Sequence, residues 1–564
     1  MKIKKIHIEN FRSIKELDLE PGSMCILVGE NNSGKTNLLR ALNLILGETW
    51  PTERQFNEDD FWNRDPSKAI IIRVIFDEEK EYWFNKFKLL VAGVQLTVSV
   101  YKKKTGKKTP GEIRTEFVCV DSKGKVLQYP AEPLQVGVQY KGQWYPHRVS
   151  SEIKESMPFI LVDILRQYER HTPGGRWSVL RKLYSEVNVD FQRSTDEVQM
   201  INETGEKALV KRKDAFEKTV KSAYEFVKTD YYKKIEEALV RNTLEQMGLT
   251  PEEGSIRLGF KAYDPTNVYK SLELFVEQMG VEVSASEVGS GLQSAVVVGI
   301  FRTYEELKKE GAIFAIEEPE VFLHPQKARY FSEILEKLAE NGNQVFVTTH
   351  SPIFVKIYRP EDVCLLRRTT QAGTYPIRKS KIEIATTTRQ QLRLFTEFDA
   401  QRNELFFAKR VLLVEGTTER TIFPLIARSL GFDLNREGVS VVDCGGKTKI
   451  PLFVQIVTAF SIPFIVVVDE DIHKIETSWS TEKVKKVEEN NKKHKKWNED
   501  IVQAVGDTGN IFWLKPHLES IANLPQSEQT KVDRAIEKFS SIEKLDIPKE
   551  LSDAIIFLMN IPLG

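Results

Sequence analysis

The sequence predicts an α/β protein of several domains, and three observations carry that reading. Short apolar runs recur along the chain, alternating with segments of helical periodicity, as in parallel α/β sheets. One apolar run leads into a complete glycine-rich phosphate-binding pattern. Late in the chain, further apolar runs end in carboxylates. The length of 564 residues is enough for about three domains of ordinary size.

Composition narrows the class. The chain is 41% hydrophobic and 10% aromatic, enough to bury several cores. Lys plus Arg equals Asp plus Glu at 81 each, so there is no overall basic excess of the kind a nucleic-acid coat needs, although local patches can hide inside a zero sum. Cys25, Cys119, Cys364 and Cys444 lie far apart, which argues against a Cys-ligated zinc site and against a secreted disulfide scaffold. No apolar run approaches the ~20 residues a membrane helix needs. The opening MKIKKIHIENF has no apolar leader core and reads as a strand. The expectation is a cytoplasmic protein that does not engage a membrane.

The elements follow in order. Residues 2–9 alternate Ile with Lys, His and Glu, a half-buried strand; MCILV (24–28) is a buried one. NLLRALNLILG (37–47) is helical and closes on Gly47. Residues 69–76, 94–101 and 114–120 read as strands, with the basic KKKTGKK (102–108) as a turn. From about 151 to 247 the pattern turns helical. Phe216, Val220, Tyr224, Val227, Tyr231, Ile235 and Leu239 mark one apolar face of a long helix ended by Gly248. That face either packs on its own domain or pairs with a second copy. Strand signals return near 256–260 and 281–285. Then come GLQSAVVVGIF (291–301), AIFAIEEPE (312–320) and QVFVTTHSP (344–352). A new α/β unit starts near 408, with strands at 410–416, 439–446 and 463–471; the tail beyond 472 is Lys-rich and then mixed helical.

GENNSGKT (29–36) matches the phosphate-loop pattern in full, after a strand and before a helix. Gly29 and Gly34 let the backbone curl, with Asn31, Asn32 and Ser33 between them, so that N–H groups converge on a phosphate. Lys35 reaches the outer phosphates and Thr36 can hold Mg²⁺. IFAIEEPE (313–320) delivers Glu317 and Glu318 to a strand end, Glu317 for the metal and Glu318 to orient a water. His350 follows a second buried strand and can reach the outer phosphate.

The second constellation is acidic. Glu415 ends one strand and Glu419 follows at a helix start; Asp469 and Asp471 end another. If that strand continues, the i, i+2 spacing puts both aspartates on one side. Four hard oxygen donors at one sheet edge suit Mg²⁺ or Mn²⁺. Acidic helix caps and loop ends are the equal alternative on chemistry alone. GGK (445–447) either brings Lys447 to a phosphate or leaves a surface lysine. The run KVKKVEENNKKHKKWNED (483–500) holds Lys483, Lys485, Lys486, Lys492, Lys493, Lys495 and Lys496, with Trp497 beside them. Such a run binds nucleic-acid phosphates or forms a solvated face.

Taken together, GENNSGKT, SGLQS (290–294), EEPEVFLHP (317–325) and TTHSP (348–352) resemble an ABC-type ATPase head of the SMC and recombination-repair kind. The resemblance implies that Ser290 caps nucleotide held by another copy and that Arg12, in IENFRSI (8–14), touches nucleotide. Glu317 stands where the family usually has Asp, and SGLQS lacks its second glycine, so the nucleotide reads as a regulatory ligand as readily as a fuel. The Glu-Gly strand end followed by an Asp-x-Asp strand end resembles a Toprim domain. A head followed by Toprim resembles the OLD (overcoming lysogenization defect) family, including the nuclease subunit of Gabija-type anti-phage systems.

That resemblance implies an ATPase domain over 1–150 and 251–390, a dimerising helical insertion over 151–250, and a Toprim nuclease domain over 391–564. It implies an ATP- and Mg²⁺-using endonuclease acting on double-stranded DNA, with Glu415, Glu419, Asp469 and Asp471 as metal ligands or base. Glu519, in WLKPHLESI (513–521), is the candidate later acid, and Lys544, Lys549 or another lysine the late lysine. It also implies a homodimer or higher oligomer, with or without a helicase-like partner. The alternative is a repair- or clamp-type ATPase whose Toprim unit binds DNA but does not cut it. A topoisomerase would need a Tyr-bearing domain for which no spare length is evident. A bacterial primase would bring a zinc module the cysteines do not support.

Overall fold

The computed structural model describes residues 1–47, 49–84, 87–101, 109–130, 143–157, 159–163, 187–188, 190–201, 207–246, 275–278, 280–285, 287–288, 299–300, 303, 311–321, 323–379, 400–476, 479–506, 508–524 and 528–562. The chain divides into two units, Met1–Asp163 with Lys309–Gly564, and Ile164–Lys308.

The first unit opens with β1 (Ile3–Phe11), β2 (Ile14–Leu19), β3 (Met24–Val28) and helix α1 (Lys35–Leu46), then β4 (Ile70–Phe84), β5 (Phe87–Val100), β6 (Ile113–Val120) and β7 (Phe159–Asp163). The second unit carries the hairpin β8 (Glu197–Ile201) and β9 (Lys207–Lys211), helices α2 (Arg212–Val227) and α3 (Asp230–Gln246), and the hairpin β10 (Phe275–Gln278) and β11 (Val281–Ser284). The first unit resumes with β12 (Ile313–Glu317), α4 (Pro325–Glu340), β13 (Gln344–Thr348), β14 (Val363–Thr369) and β15 (Gly373–Ile377).

Its large sheet has eleven described strands in the order β6-β5-β4-β1-β2-β15-β14-β3-β13-β12-β7. The portion β14-β3-β13-β12-β7 is parallel. Every residue of β3 and β13 is buried, as parallel strands covered on both faces require. β1 alternates buried and more exposed positions, as its antiparallel place predicts. Leu38, Leu42 and Ile45 of α1 are fully buried in the same core as Ile313, Ala315 and Phe346. All four cysteines are buried and free.

The second sheet follows: β16 (Arg410–Val414), α5 (Thr417–Ser429), β17 (Val439–Asp443), α6 (Ile450–Ala459), β18 (Phe464–Asp469), α7 (Thr481–Val505), β19 (Ile511–Leu514), α8 (Leu518–Ile521), α9 (Glu528–Ser540) and α10 (Lys549–Asn560). The four strands are parallel, in the order β17-β16-β18-β19. Their carboxyl ends therefore share one edge. Phe423, Leu514, Phe539, Leu551 and Ile555 fill the core on one side. Among the described residues no helix is long and apolar enough to cross a membrane.

Three local readings change. The helical pattern beginning near 151 contains β7, whose run FILVD pairs in parallel with β12. The single long helix through 216–239 is two, broken at Lys228–Thr229. The Thr229 hydroxyl accepts from the Tyr232 N–H at 3.3 Å, the local bond by which Thr starts a new helix. β19 is a strand that sequence periodicity did not suggest, because four residues are too few to show a period. The segments 102–108, 256–260 and 290–294 lie outside the described residues.

Candidate functional site

Two groups of polar side chains sit at carboxyl strand ends, one at the parallel portion of the first sheet and one at the second sheet, where open α/β folds bind ligands.

At the first edge, the loop after β3 enters α1 through Gly34, at φ 103°. A Cβ there would collide with the side chains of Thr374 and Ser13; only glycine fits. Lys35 is 6% exposed and folds back to donate to the carbonyls of Gly29 (2.9 Å) and Glu30 (3.0 Å). Burial lowers its pKa, opposed by Glu318 and Glu320. The Thr36 hydroxyl donates to the Glu317 carboxylate at 2.7 Å, so the loop and the end of β12 meet. Glu318 has φ 46° and its carboxylate lies 3.9 Å from His350 Nε2. The His350 N–H donates to Glu320 at 2.6 Å. Burial, and then Lys35, lower the His350 pKa against the pull of Glu318 and Glu320. Glu317, Glu318, Lys35, Thr36 and His350 thus form one group. Beside it lies a cavity of about 580 Å³, walled by Gly29–Ser33, Trp62, Arg367, Phe407 and Lys409. That volume suits a small-molecule ligand.

Arg12, the expected nucleotide contact, is held by Asp60. Its guanidinium pairs with buried Asp60 at 2.8 Å, and its N–H donates to the Asp60 carbonyl. Ser290 lies outside the described residues.

At the second edge, oxygens of Glu415, Asp469 and Asp471 all lie within 4.8 Å of one another. β16 delivers Glu415 and β18 delivers Asp469, as expected. Asp471 arrives otherwise. β18 ends at Asp469, and Asp471 sits in a turn at φ 53°, its N–H on the Pro516 carbonyl at 2.7 Å. Strand alternation therefore does not align the two aspartates; a turn does. Glu419 is 6% exposed and accepts from the Gly416 N–H at 3.2 Å at the start of α5. Asp469 accepts from the Leu518 N–H at 2.8 Å. Burial, then Glu419 and Asp471, push its carboxyl up to about 8 despite that bond. Such crowding of like charge is the state a bound cation relieves, and the oxygen donors are those hard divalent ions take.

The other candidates divide. Glu519 lies beside Leu518 and pairs with His517 Nδ1 at 2.9 Å, outside the group of three carboxylates. Lys544 and Lys549 are exposed, in the turn before α10 and at its start. Lys447 is a buried lysine, 4% exposed, with Nζ 3.2 Å from Asp471. His494 Nδ1 is 3.3 Å from the same carboxylate, and Asn498 donates to the Glu470 carbonyl at 3.0 Å. Both come from α7, four residues apart on one face. The lysines of the 483–496 run are all exposed on the remaining faces. The i, i+4 spacing of His494 and Asn498 was visible in the sequence, but the facing partner was not.

Similarity to known proteins covers both parts of the chain. Residues 406–471 match the family described as Overcoming lysogenization defect protein-like, TOPRIM domain, and residues 1–237 and 175–355 match an AAA ATPase domain. The chain is 22% identical over 519 residues to the Old nuclease of Escherichia phage P2, covering 84% of this chain and 77% of that protein. It is 20% identical over 491 residues to Endonuclease GajA of Bacillus cereus (strain VD045), covering 84% and 75%. It is 31% identical over 548 residues to the OLD nuclease of Thermus scotoductus (strain ATCC 700910 / SA-01), covering 96% of this chain and 95% of that one. With that identity across nearly the whole of both chains, the protein belongs to the OLD nuclease family and is a nuclease with an ATPase domain and a Toprim domain.

Proposed function

We propose that the protein is an ATP-binding, divalent-metal-dependent endonuclease that nicks or cleaves double-stranded DNA, with its ATPase head setting when it cuts. The observation that carries this reading is the meeting of Glu415, Asp469 and Asp471 at the second sheet edge. These residues would hold Mg²⁺ or Mn²⁺, with the charge of nearby Glu419 adding to the need for a cation. Bound there, the cation supplies Lewis acidity toward a water and the leaving oxygen. The Leu518 N–H fixes one Asp469 oxygen. The exposed lysines of α7, on a helix anchored to Asp471 and Glu470 through His494 and Asn498, would track the phosphate backbone.

At the first edge, Gly29–Thr36 would cradle the phosphates of ATP, Thr36 and Glu317 its Mg²⁺, and the adjoining cavity its base. Glu318 and His350 would orient a water near the outer phosphate. Exposed Phe226, Tyr231 and Ile235 on α2 and α3 support pairing of copies through the 151–250 segment. We place the protein in the cytoplasm, in anti-phage defence, alone or with a helicase-like partner, and restrained by the ATP of a healthy cell.

Cleavage of supercoiled plasmid tests the reading, with Mg²⁺ or Mn²⁺, with and without ATP, beside Asp469→Ala. Cutting should need metal, vanish in the variant and fall as ATP is added. Cutting retained in Asp469→Ala would place the chemistry elsewhere. Cutting that rises steadily with ATP would sink the restraint.

A further inference from the structure

Lys447 follows Gly445 (φ 72°) and Gly446 (φ 117°), which fold the loop after β17 back over the acidic edge. The Gly446 N–H donates to the Glu415 carbonyl at 2.9 Å, and the Gly445 N–H to the Asp443 carboxylate at 2.6 Å. The loop is thus bound to the ends of β16 and β17. From it Lys447 runs beneath the next turn with its side chain 3% exposed. Nζ lies 2.5 Å from the Asp469 carbonyl, 3.3 Å from the Glu470 carbonyl and 3.2 Å from the Asp471 carboxylate. An ammonium has three N–H donors. All three are engaged, so none is left for a phosphate.

The three acceptors belong to consecutive residues, at the point where β18 ends and Asp471 enters the left-handed region. For a residue other than glycine that conformation is strained and persists only where its surroundings hold it. Lys447 is such a hold. A compact ammonium draws oxygens of residues 469, 470 and 471 to one point, which turns the Asp471 carboxylate back toward Glu415.

We propose that Lys447 is a positioning residue of the nuclease site: it clamps the 469–471 turn so that Asp469 and Asp471 face Glu415, and it does not touch the nucleic acid. The proposal rests on the metal-dependent reading above and concerns how the ligands are shaped.

Two other roles for a lysine here make opposite predictions. A placeholder cation would compete with metal, and a phosphate contact would leave metal binding alone. Lys447→Met keeps the stem and removes the charge. Mn²⁺ binding would be measured by calorimetry on the full chain, with plasmid cleavage followed over a range of DNA concentrations. The clamp predicts Mn²⁺ binding weakened about 10- to 100-fold, as when the groups orienting metal ligands are removed. It predicts cleavage partly restored by excess Mn²⁺, an unchanged KM for DNA and unchanged ATP binding. Tighter Mn²⁺ binding overturns it in favour of the placeholder. Unchanged Mn²⁺ binding with a raised KM for DNA overturns it in favour of the phosphate contact.

Should Lys447→Met fail to fold because Asp471 loses its partner, Asp471→Asn compared with Asp471→Asn/Lys447→Met replaces it. The clamp predicts weaker Mn²⁺ binding in the double variant, since the ammonium no longer holds the two carbonyls; equal affinities overturn it. The wild-type measurement separates the two levels. If wild type neither binds Mn²⁺ nor cuts, the metal-dependent reading falls and the clamp with it. If wild type does both and the variants match it, only the clamp falls.

Discussion

Arg402 and Asn403 are chain neighbours that hold opposite sides of the junction between the two sheets. Arg402 donates through Nε to the Asp443 carbonyl at 2.6 Å, and its Nη2 lies 3.2 Å from the Asp443 carboxylate, at the end of β17. Asn403 donates to the Pro352 carbonyl at 3.0 Å and accepts from the Ile357 N–H at 3.2 Å, in the segment that follows His350. A third contact runs parallel to these, Lys409 Nζ to the Glu30 carboxylate at 3.7 Å, joining the foot of β16 to the phosphate loop. The segment after His350 is thus held by Asn403, next in the chain to the Arg402 that holds Asp443 at the end of β17.

Removing Asn403 should loosen that link. Asn403→Ala leaves a buried N–H and a buried carbonyl without their partner and should cost about 1–3 kcal/mol of stability. The effect of ATP on cleavage should shrink, while cleavage without nucleotide persists. Thermal melts and plasmid assays with and without ATP check both. An ATP effect of undiminished size would count against the link.

Arg402→Met should be the more damaging change. It leaves the Asp443 carboxylate, 4% exposed, without its cation. Breaking a buried pair this way costs roughly 3–5 kcal/mol. Denaturant unfolding measures it, and Arg402→Met with Asp443→Asn should recover part of the loss.

The raised Asp469 carboxyl sets a pH dependence. Its folded value of about 8 lies above the ordinary carboxylate range, so protons favour the metal-free fold. That contribution is complete below the unfolded value and is lost as pH rises through about 8. A cation must displace the proton. At limiting metal, cleavage should therefore climb with pH and level off above about 8. Excess metal should move the climb to lower pH, and Asp469→Asn should abolish cutting. A flat rate between about pH 6 and about 8 at limiting metal would contradict this.

Lys35→Ala should weaken ATP binding roughly 10- to 100-fold, the loss of charged hydrogen bonds to phosphate. Cleavage without nucleotide should be retained, because Lys35 serves the first sheet edge alone. Titration of labelled nucleotide, run beside the plasmid assay, checks both halves.

Glu at Lys485, Lys492 and Lys496 should weaken DNA binding about equally for every sequence. The salt dependence should flatten by ~0.9 in log–log slope for each DNA phosphate that no longer meets a lysine. Binding isotherms at several salt concentrations measure this; an unchanged slope would make the lysine face a solvated one.

Much of both sites was legible because the signals are local. A phosphate loop needs its glycines, lysine and hydroxyl within eight consecutive positions, and a strand end announces itself as an apolar run stopping at a carboxylate. GENNSGKT, Glu317–Glu318, His350, Glu415 and Asp469 are of that kind. Asp471 was legible as a residue but not in its geometry, since a left-handed turn leaves no period. Glu519 was read as the later acid of the site, and in the fold it pairs with His517, two residues before it.

The sequence by itself determined the α/β class, the phosphate loop and the strand ends that bear carboxylates, because hydrophobic periodicity and short motifs depend on neighbours along the chain. Only the tertiary structure decided that Lys447 lies under the acidic turn, that α7 reaches the site through His494 and Asn498, and that Arg402 and Asn403 bind the two edges to one connector. These contacts join residues whose separations in sequence follow no period. What brings them together is the parallel strand order β17-β16-β18-β19, which sets their loops side by side, and the burial of charge, which leaves each ammonium or guanidinium few oxygens to meet.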